Sequence, residues 1–176
     1  VNLFDNWNAA ISYAEFLEKY GTASDRGRWQ QVFDRVALSA DQVKLLGSFT
    51  REMKVMCLAG AWCGDCANQC PIFARFALSA PVIQLRFLDR DDHADVQTVL
   101  KINGGNRVPV AVFFSEDGFE VARFGERTVS AYRNLIGIPA GTEPLLTRVC
   151  QDWLNEFERV QWILRLSPRL RQKHGD

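Results

Sequence analysis

Three of the five cysteines fall in one short stretch, Leu58-Ala59-Gly60-Ala61-Trp62-Cys63-Gly64-Asp65-Cys66-Ala67-Asn68-Gln69-Cys70-Pro71. Cys63 and Cys66 form a C-x-x-C pair after an apolar run and ahead of a helical pattern, the placement of a redox-active dithiol when the surrounding fold is βαβ. In disulfide exchange the attacking species is a thiolate. Cys63, at the predicted start of a helix, lies where unpaired backbone N–H groups stabilise negative charge. In this role Cys63 is the nucleophile that attacks a substrate disulfide. Cys66, about one turn further on, resolves the mixed disulfide. Gly64 permits the turn and keeps the approach open, and Trp62 shields one side. Asp65 acts against this chemistry. A carboxylate ~6 Å from the Cys63 sulfur repels it by about 3 kcal/mol at an effective dielectric of 20. Solvent cuts that figure, and the helix terminus contributes up to ~2 kcal/mol the other way. Two expectations follow: Asp65 makes the protein more reducing than an Asp65→Pro variant, or it is a solvated first-turn acid.

The other cysteines offer weaker chemistry. Cys63-x-x-Cys66-x-x-x-Cys70-Pro71 matches the end of the iron–sulfur run C-x₂-C-x₂-C-x₃-C-P. The position of the missing ligand is Gly60, and there is no second set. A zinc ion would need Cys57, His93 or His174 as a fourth ligand. Because one strand–helix unit rarely closes such a site, no metal and no cofactor are expected, with a cysteine-ligated metal as the minor alternative. Cys70 shares a helix face with Cys66 and is expected to be a small buried hydrophobe rather than an alternative disulfide partner. Cys57 is expected to be buried in a strand beneath the motif, and Cys150 to lie in a helix core.

These residues need a scaffold to position them. The first fifty residues carry helical spacing at 7–20, at 26–38 with Ser24 or Asp25 as cap, and after the capping box Ser39-x-x-Gln42, with no clear strand. Their aromatics are expected to pack a core. Then the texture changes. Residues 54–60 are a short apolar run that suits a strand buried on both faces. A helix over 66–79 contains Pro71, which removes one backbone donor. Strands are expected at 82–88, 108–114 and 119–124, the last two joined by a Glu116-Asp117-Gly118 turn. Asp91 or Asp92 caps an intervening helix, and 103–106 is a loop. A short helix covers 128–135. A long apolar-faced helix runs over 143–166 until Pro168, and the cations at 165–173 form a solvated helix end. Alternation followed by a hairpin points to an α/β fold, a mixed sheet of about four strands with flanking helices.

Composition agrees with an ordinary globular chain, 47% hydrophobic and 24% charged, long enough to bury a core without disulfide staples. Lys plus Arg match Asp plus Glu at 21 each, so no global field recruits nucleic acid or an anionic membrane. No stretch approaches the ~20 apolar residues of a membrane span. An odd, clustered set of cysteines fits a reducing, cytoplasmic setting better than a secreted disulfide framework. The first residue is Val1, not Met, which leaves a removed leader open.

Trp62-Cys63-Gly64-Asp65-Cys66 resembles the W-C-G-P-C motif of the thioredoxin family, with Asp65 in place of proline. Pro71 stands where that family has its helix-kinking proline, and Val108-Pro109 where it has a cis-proline. Gly118 and Gly125 match its hairpin glycine and the glycine after its last strand. The resemblance covers residues 53–137, with 1–50 a helical N-terminal extension and 143–166 a long C-terminal helix. It is nearest a bacterial thioredoxin-like subgroup with a W-C-G-D-C motif. The resemblance implies a thioredoxin-like fold and a disulfide oxidoreductase. Cys63 is then the nucleophile and Cys66 the resolving thiol, with support from Trp62, Gly64, Asp65, Val108, Pro109 and Cys57. It implies disulfide-containing protein or small thiol substrates and a reductant as partners, with neither nucleic acid nor membrane. Val108 would pair with an extended substrate segment. Two departures stand out. Cys57 occupies the place of the family's buried aspartate, and the loop from Gly104 to Arg107 is enlarged. The alternative is a redox-sensing or partner-binding module with little turnover.

Overall fold

The computed structural model describes all 176 residues. Its centre is a four-stranded mixed sheet in the order β2-β1-β3-β4. β1 (Met53–Ala59) runs parallel to β2 (Ile83–Asp89) and antiparallel to β3 (Val110–Phe114), which pairs in turn with β4 (Glu120–Gly125). The fold class is the expected one. β1 and β3 are central and almost wholly buried, so they lack alternation and read as continuous apolar runs. The parallel β1–β2 pair requires a crossover, supplied by α4 (Gly64–Ser79), which runs unbroken through Pro71. The tight β3–β4 connection turns at Gly118, whose φ of +85° suits glycine and whose missing Cβ leaves room for the Phe4 ring.

Three helices precede the sheet: α1 (Tyr13–Tyr20), α2 (Ala23–Arg35) and α3 (Ala40–Gly47). α3 starts on the expected Ser39–Gln42 capping box. The other two differ from expectation. The helical spacing at 7–20 resolves into a 3₁₀ turn at Leu3–Asn6 and a separate α1 capped by Ser12 and Glu15. Between them Ile11 leaves helical geometry to exchange both backbone hydrogen bonds with Phe87 of β2, at 2.9 and 2.7 Å, so this segment does include a bridge to the sheet. In α2 the cap is Thr22, neither Ser24 nor Asp25; Asp25 is its capping-box partner inside the helix.

The remaining helices are α5 (Ala94–Val99), α6 (Val129–Leu135), α7 (Leu145–Leu166) and α8 (Pro168–His174). Neither Asp91 nor Asp92 caps α5. Their backbone N–H groups instead donate to the Asp89 carboxylate at the end of β2, which shortens the helix. Pro168 does not end the helical run. It occupies the first turn of α8 after a break at Ser167, where its missing N–H is no loss. The cations here are exposed, as expected of a solvated helix end, but some also pair across the fold. Arg169 donates two hydrogen bonds to Asp117, and Lys173 and His174 pair with Glu116, which pins α8 to the β3–β4 turn. That contact lowers the Asp117 carboxyl to about 2, first through the Arg169 hydrogen bonds.

Buried apolar residues form one continuous cluster from Leu3 to Leu170, so the flanking helices share the core of the sheet. Two aromatic groups stand out. Tyr13, Phe16 and Phe87 surround Trp29 of α2. Phe73 of α4 and Phe124 of β4 pack on Trp153 of α7, while Phe76 and Phe113 pack on Phe157 one turn along. Burying 150–250 Å² of one aromatic side chain contributes roughly 4–6 kcal/mol of transfer free energy. No helix is long and apolar enough to cross a membrane.

Candidate active site

The C-x-x-C pair lies where β1 hands over to α4. Cys63 is the N-cap of α4, and its sulfur accepts the Cys66 N–H at 3.4 Å. One of the helix's orphan donors is thereby spent on a sulfur, which stabilises a thiolate. The Cys63 thiol is directed at the Val108 carbonyl, 3.8 Å away. Val108 precedes Pro109 across a cis peptide bond. Gly125, at the end of β4, lies so close that a Cβ there would come within 2.5 Å of the Pro109 carbonyl oxygen. Residues from β1, α4, the β3 approach and β4 therefore meet at one point, although they span more than sixty positions of sequence.

Cys63 is 8% exposed and Cys66 fully buried, so Cys63 is the outer sulfur of the pair. The Gly60 N–H points at the Cys66 sulfur from 3.5 Å. Burial pushes the Cys66 thiol up, but hydrogen bonds with the Cys63 and Cys70 thiols and the Gly60 N–H outweigh it and bring it down to about 5. Cys63 is pushed up, first by its hydrogen bond with Cys66 and then by burial. The two thiols titrate as a pair, with Cys66 ionising first, below the ordinary thiol range, and Cys63 above it. All five cysteines are free thiols.

The predicted supporting residues divide between those at the sulfurs and those beside them. Trp62 is half exposed and lies flat over Gly60, where a Cβ would sit 2.8 Å from the indole. The Arg90 guanidinium stacks on its outer face, 4.7 Å from the ring centre. Gly64 opens α4 and has empty space where a side chain would project. Asp65 is not simply solvated: its carboxylate accepts a hydrogen bond from Arg127 Nε at 3.2 Å and pairs with its Nη2 at 2.9 Å. Its repulsion of the dithiol is thus largely offset by a neighbouring cation. Cys57 lies under the motif on β1, fully buried, with its sulfur 3.8 Å from that of Cys70 and its thiol pushed up by desolvation. The loop before Pro109 is a tight turn with Asn103 and Gly104 at positive φ, held by Arg90 through the Asn106 carbonyl.

Neither histidine joins the thiols. His93 faces the Asp89 carbonyl and His174 pairs with Glu116. No group of three or more His, Cys, Asp or Glu side chains is arranged to hold a metal ion.

Several residues around the motif escape sequence reasoning. Trp29 donates its indole N–H to the Ala61 carbonyl at 2.9 Å, and Arg28 donates to the Trp62 carbonyl at 3.1 Å, so α2 holds both residues ahead of Cys63. On the other side Trp153 donates to the Gln69 side chain at 2.8 Å, and Gln69 donates to the Glu126 carbonyl at 2.6 Å. The Glu126 carboxylate is buried, accepts from the Tyr132 hydroxyl at 2.7 Å and faces Arg107 and Arg127. A cleft of about 370 Å³ opens beside Asp65 and Arg127, walled by α6 and by Leu145, Leu146 and Val149 of α7. The one sequence signal for this outer layer was the helical periodicity, which reports burial and not hydrogen-bond partners.

Comparison with known proteins places this geometry. No curated protein matches the chain in sequence. Among solved structures, a protein of unknown function from Pseudomonas aeruginosa is similar, with a TM-score of 0.75 at 14% identity, covering 91% of this chain and 96% of that one. An HIV epitope-scaffold gives a TM-score of 0.68 at 16% identity, covering 92% and 94%. Both likenesses concern the fold. A thioredoxin from Fasciola hepatica is 27% identical over 56% of this chain and 90% of its own, with a TM-score of 0.38. The family model described as thioredoxin matches residues 10–136, taking in most of the N-terminal helical segment as well as the sheet and the cysteine pair. With its sheet, its cysteine pair and most of its length within that match, this chain belongs to the thioredoxin family.

Proposed function

We propose that the protein is a thiol–disulfide oxidoreductase that exchanges the Cys63–Cys66 dithiol with disulfides of proteins or small molecules. The observation that supports it most is the setting of the Cys63 sulfur. It is the outermost sulfur of the pair, at a helix N-terminus, bonded by the Cys66 N–H and flanked by the Val108 carbonyl. Cys63 thiolate attacks one sulfur of the substrate disulfide, forming a mixed disulfide and releasing the other sulfur as a thiol. Cys66 then attacks the Cys63 sulfur, releases the second substrate thiol and closes the Cys63–Cys66 disulfide. A reductant returns the pair to thiols. The Val108 backbone offers an extended substrate segment a hydrogen-bonding edge beside the reacting sulfur.

Reduction of insulin disulfides with dithiothreitol as electron source tests this reading. The wild type accelerates the reaction, Cys63→Ser abolishes the acceleration, and Cys66→Ser accumulates a mixed disulfide on Cys63. Absence of catalysis by the wild type overturns it. A second reading is a redox-sensing module that holds a partner with little turnover. It draws on the exposed apolar side chains Val129, Leu135, Ile136 and Ile138, on and after α6 beside the cleft. Slow turnover together with stable capture of one partner favours it.

A further inference from the structure

Four sulfurs lie in succession from the surface into the core, and the exchange reaction uses only the outer two. Cys63 caps α4 and accepts the Cys66 N–H, Cys66 and Cys70 stand four residues apart on one face of α4, and Cys70 faces Cys57 across the α4–β1 interface with 3.8 Å between sulfurs. Cys57 and Cys70 are fully buried. We propose that Cys57 and Cys70 form a second, internal dithiol couple that receives the disulfide made at Cys63 and Cys66, so that one chain stores two disulfides in succession. The proposal rests on the disulfide-exchange reading above.

The inner separation favours a bond there. A disulfide bond is ~2.05 Å long, so joining the inner pair needs less than ~2 Å of side-chain movement. Both inner sulfurs are buried from an outside oxidant, and the outer-pair member on the same face of α4 as Cys70 is Cys66. In the first step Cys70 attacks Cys66 of the Cys63–Cys66 disulfide. A Cys66–Cys70 bond forms, the Cys63–Cys66 bond breaks, and Cys63 leaves as a thiolate that takes up the proton Cys70 gave up. Side chains four apart on a helix have Cβ atoms ~5–6 Å apart, wider than the ~3.5–4.5 Å of a relaxed disulfide, so this bond does not last. In the second step Cys57 attacks Cys70, the Cys57–Cys70 bond forms, and Cys66 leaves and takes the second proton. No electrons enter or leave: two are handed from the inner pair to the outer pair, which is again a dithiol ready for a second substrate disulfide. Pro71 supplies compliance at this turn, because its missing N–H leaves the Ala67 carbonyl without its helical donor. Burial pushes both inner thiols up, so transfer is slower than exchange at the surface and the inner couple fills last.

Counting thiols tests the proposal. The reduced wild type is treated in its folded state with excess dithionitrobenzoate, whose bulk and charge keep it out of the core. It is then denatured, alkylated and mapped by mass spectrometry. The expected result is one free thiol of the five, Cys150, with Cys63–Cys66 and Cys57–Cys70 linkages. Three free thiols with only the Cys63–Cys66 linkage overturn the inner couple and leave the exchange reading standing. Five free thiols overturn both. Cys66→Ser distinguishes transfer from direct oxidation: Cys57 and Cys70 should stay free in that variant, and a Cys57–Cys70 disulfide there overturns the relay. Cys63→Ser provides the same control if Cys66→Ser folds poorly.

Discussion

Trp29 and Trp153 are both fully buried, and both donate an indole N–H to the stretch that carries the cysteines, but they hold it differently. Trp29, from the helices ahead of the sheet, bonds a backbone carbonyl at Ala61, two residues before Cys63. Trp153, from the long helix after the sheet, bonds the side chain of Gln69, which in turn bonds the Glu126 carbonyl. The Ala61 carbonyl belongs to the chain path itself, whereas the Gln69 amide is a side chain that also donates to the Asp65 and Glu126 carbonyls. The contrast teaches that the N-terminal helices fix the path of the chain into the candidate active site, while the C-terminal helix braces α4 through a side-chain network that keeps other anchors.

Truncation to alanine should be the largest perturbation on either side. Trp29→Ala and Trp153→Ala should each cost about 3–5 kcal/mol of stability in urea titration, and a cost under ~1 kcal/mol on either side would mean that its aromatic cluster is not packed as described. Phenylalanine separates the two sides. Trp29→Phe strands a buried carbonyl and should cost about 1–3 kcal/mol, together with slower disulfide exchange. Trp153→Phe should cost less and leave the exchange rate nearly unchanged; equal effects on rate would break the comparison.

Finer changes concern the charge beside the thiols. Thiolate absorbance of the reduced pair should persist well below the ordinary thiol range and fall as pH drops through about 5, where Cys66 regains its proton. Arg127→Ala leaves the Asp65 charge uncompensated and should move that midpoint up. Asp65→Asn should move it down. Each shift should be under about one pH unit, since pairs of this exposure are worth about 0–1 kcal/mol and a unit corresponds to ~1.4 kcal/mol. Thiolate absorbance against pH measures both, and a downward shift in Arg127→Ala contradicts the argument. The smallest effect lies at the far end of β3. Asp117 has its pKa depressed to about 2 by Arg169, below the ~3.9 of an unfolded chain. Its contribution is therefore present above ~3.9 and lost as pH falls through about 2. Arg169→Ala should lower the urea midpoint slightly near neutral pH, converge with the wild type in acid, and leave exchange untouched.

Much of the sheet was legible because its strands are short apolar runs separated by turn residues, and because the Ser39–Gln42 box and the Glu116–Gly118 turn are local chemistry. The segment 7–20 is helical only from Tyr13 on, for a physical reason. Ile11 belongs to a helical pattern by spacing, but Phe87, seventy-six positions away, offers its backbone a pair of hydrogen bonds. Asp91 and Asp92 looked like caps because they precede a helix, yet Asp89 takes both of their N–H groups. The tail cations are solvated as expected, but their pairing was not legible because Glu116 and Asp117 are distant in sequence.

What the residues determined by themselves is the candidate reactive element: a cysteine pair at the mouth of a helix, where spacing along one chain segment is enough to bring two sulfurs together. The tertiary structure alone decided their surroundings. It set Arg127 against Asp65, Trp29 and Trp153 against the motif, the Val108 carbonyl beside Cys63 and Cys57 against Cys70. Each of these contacts joins segments that only packing brings together, and no local periodicity encodes which buried donor will meet which acceptor.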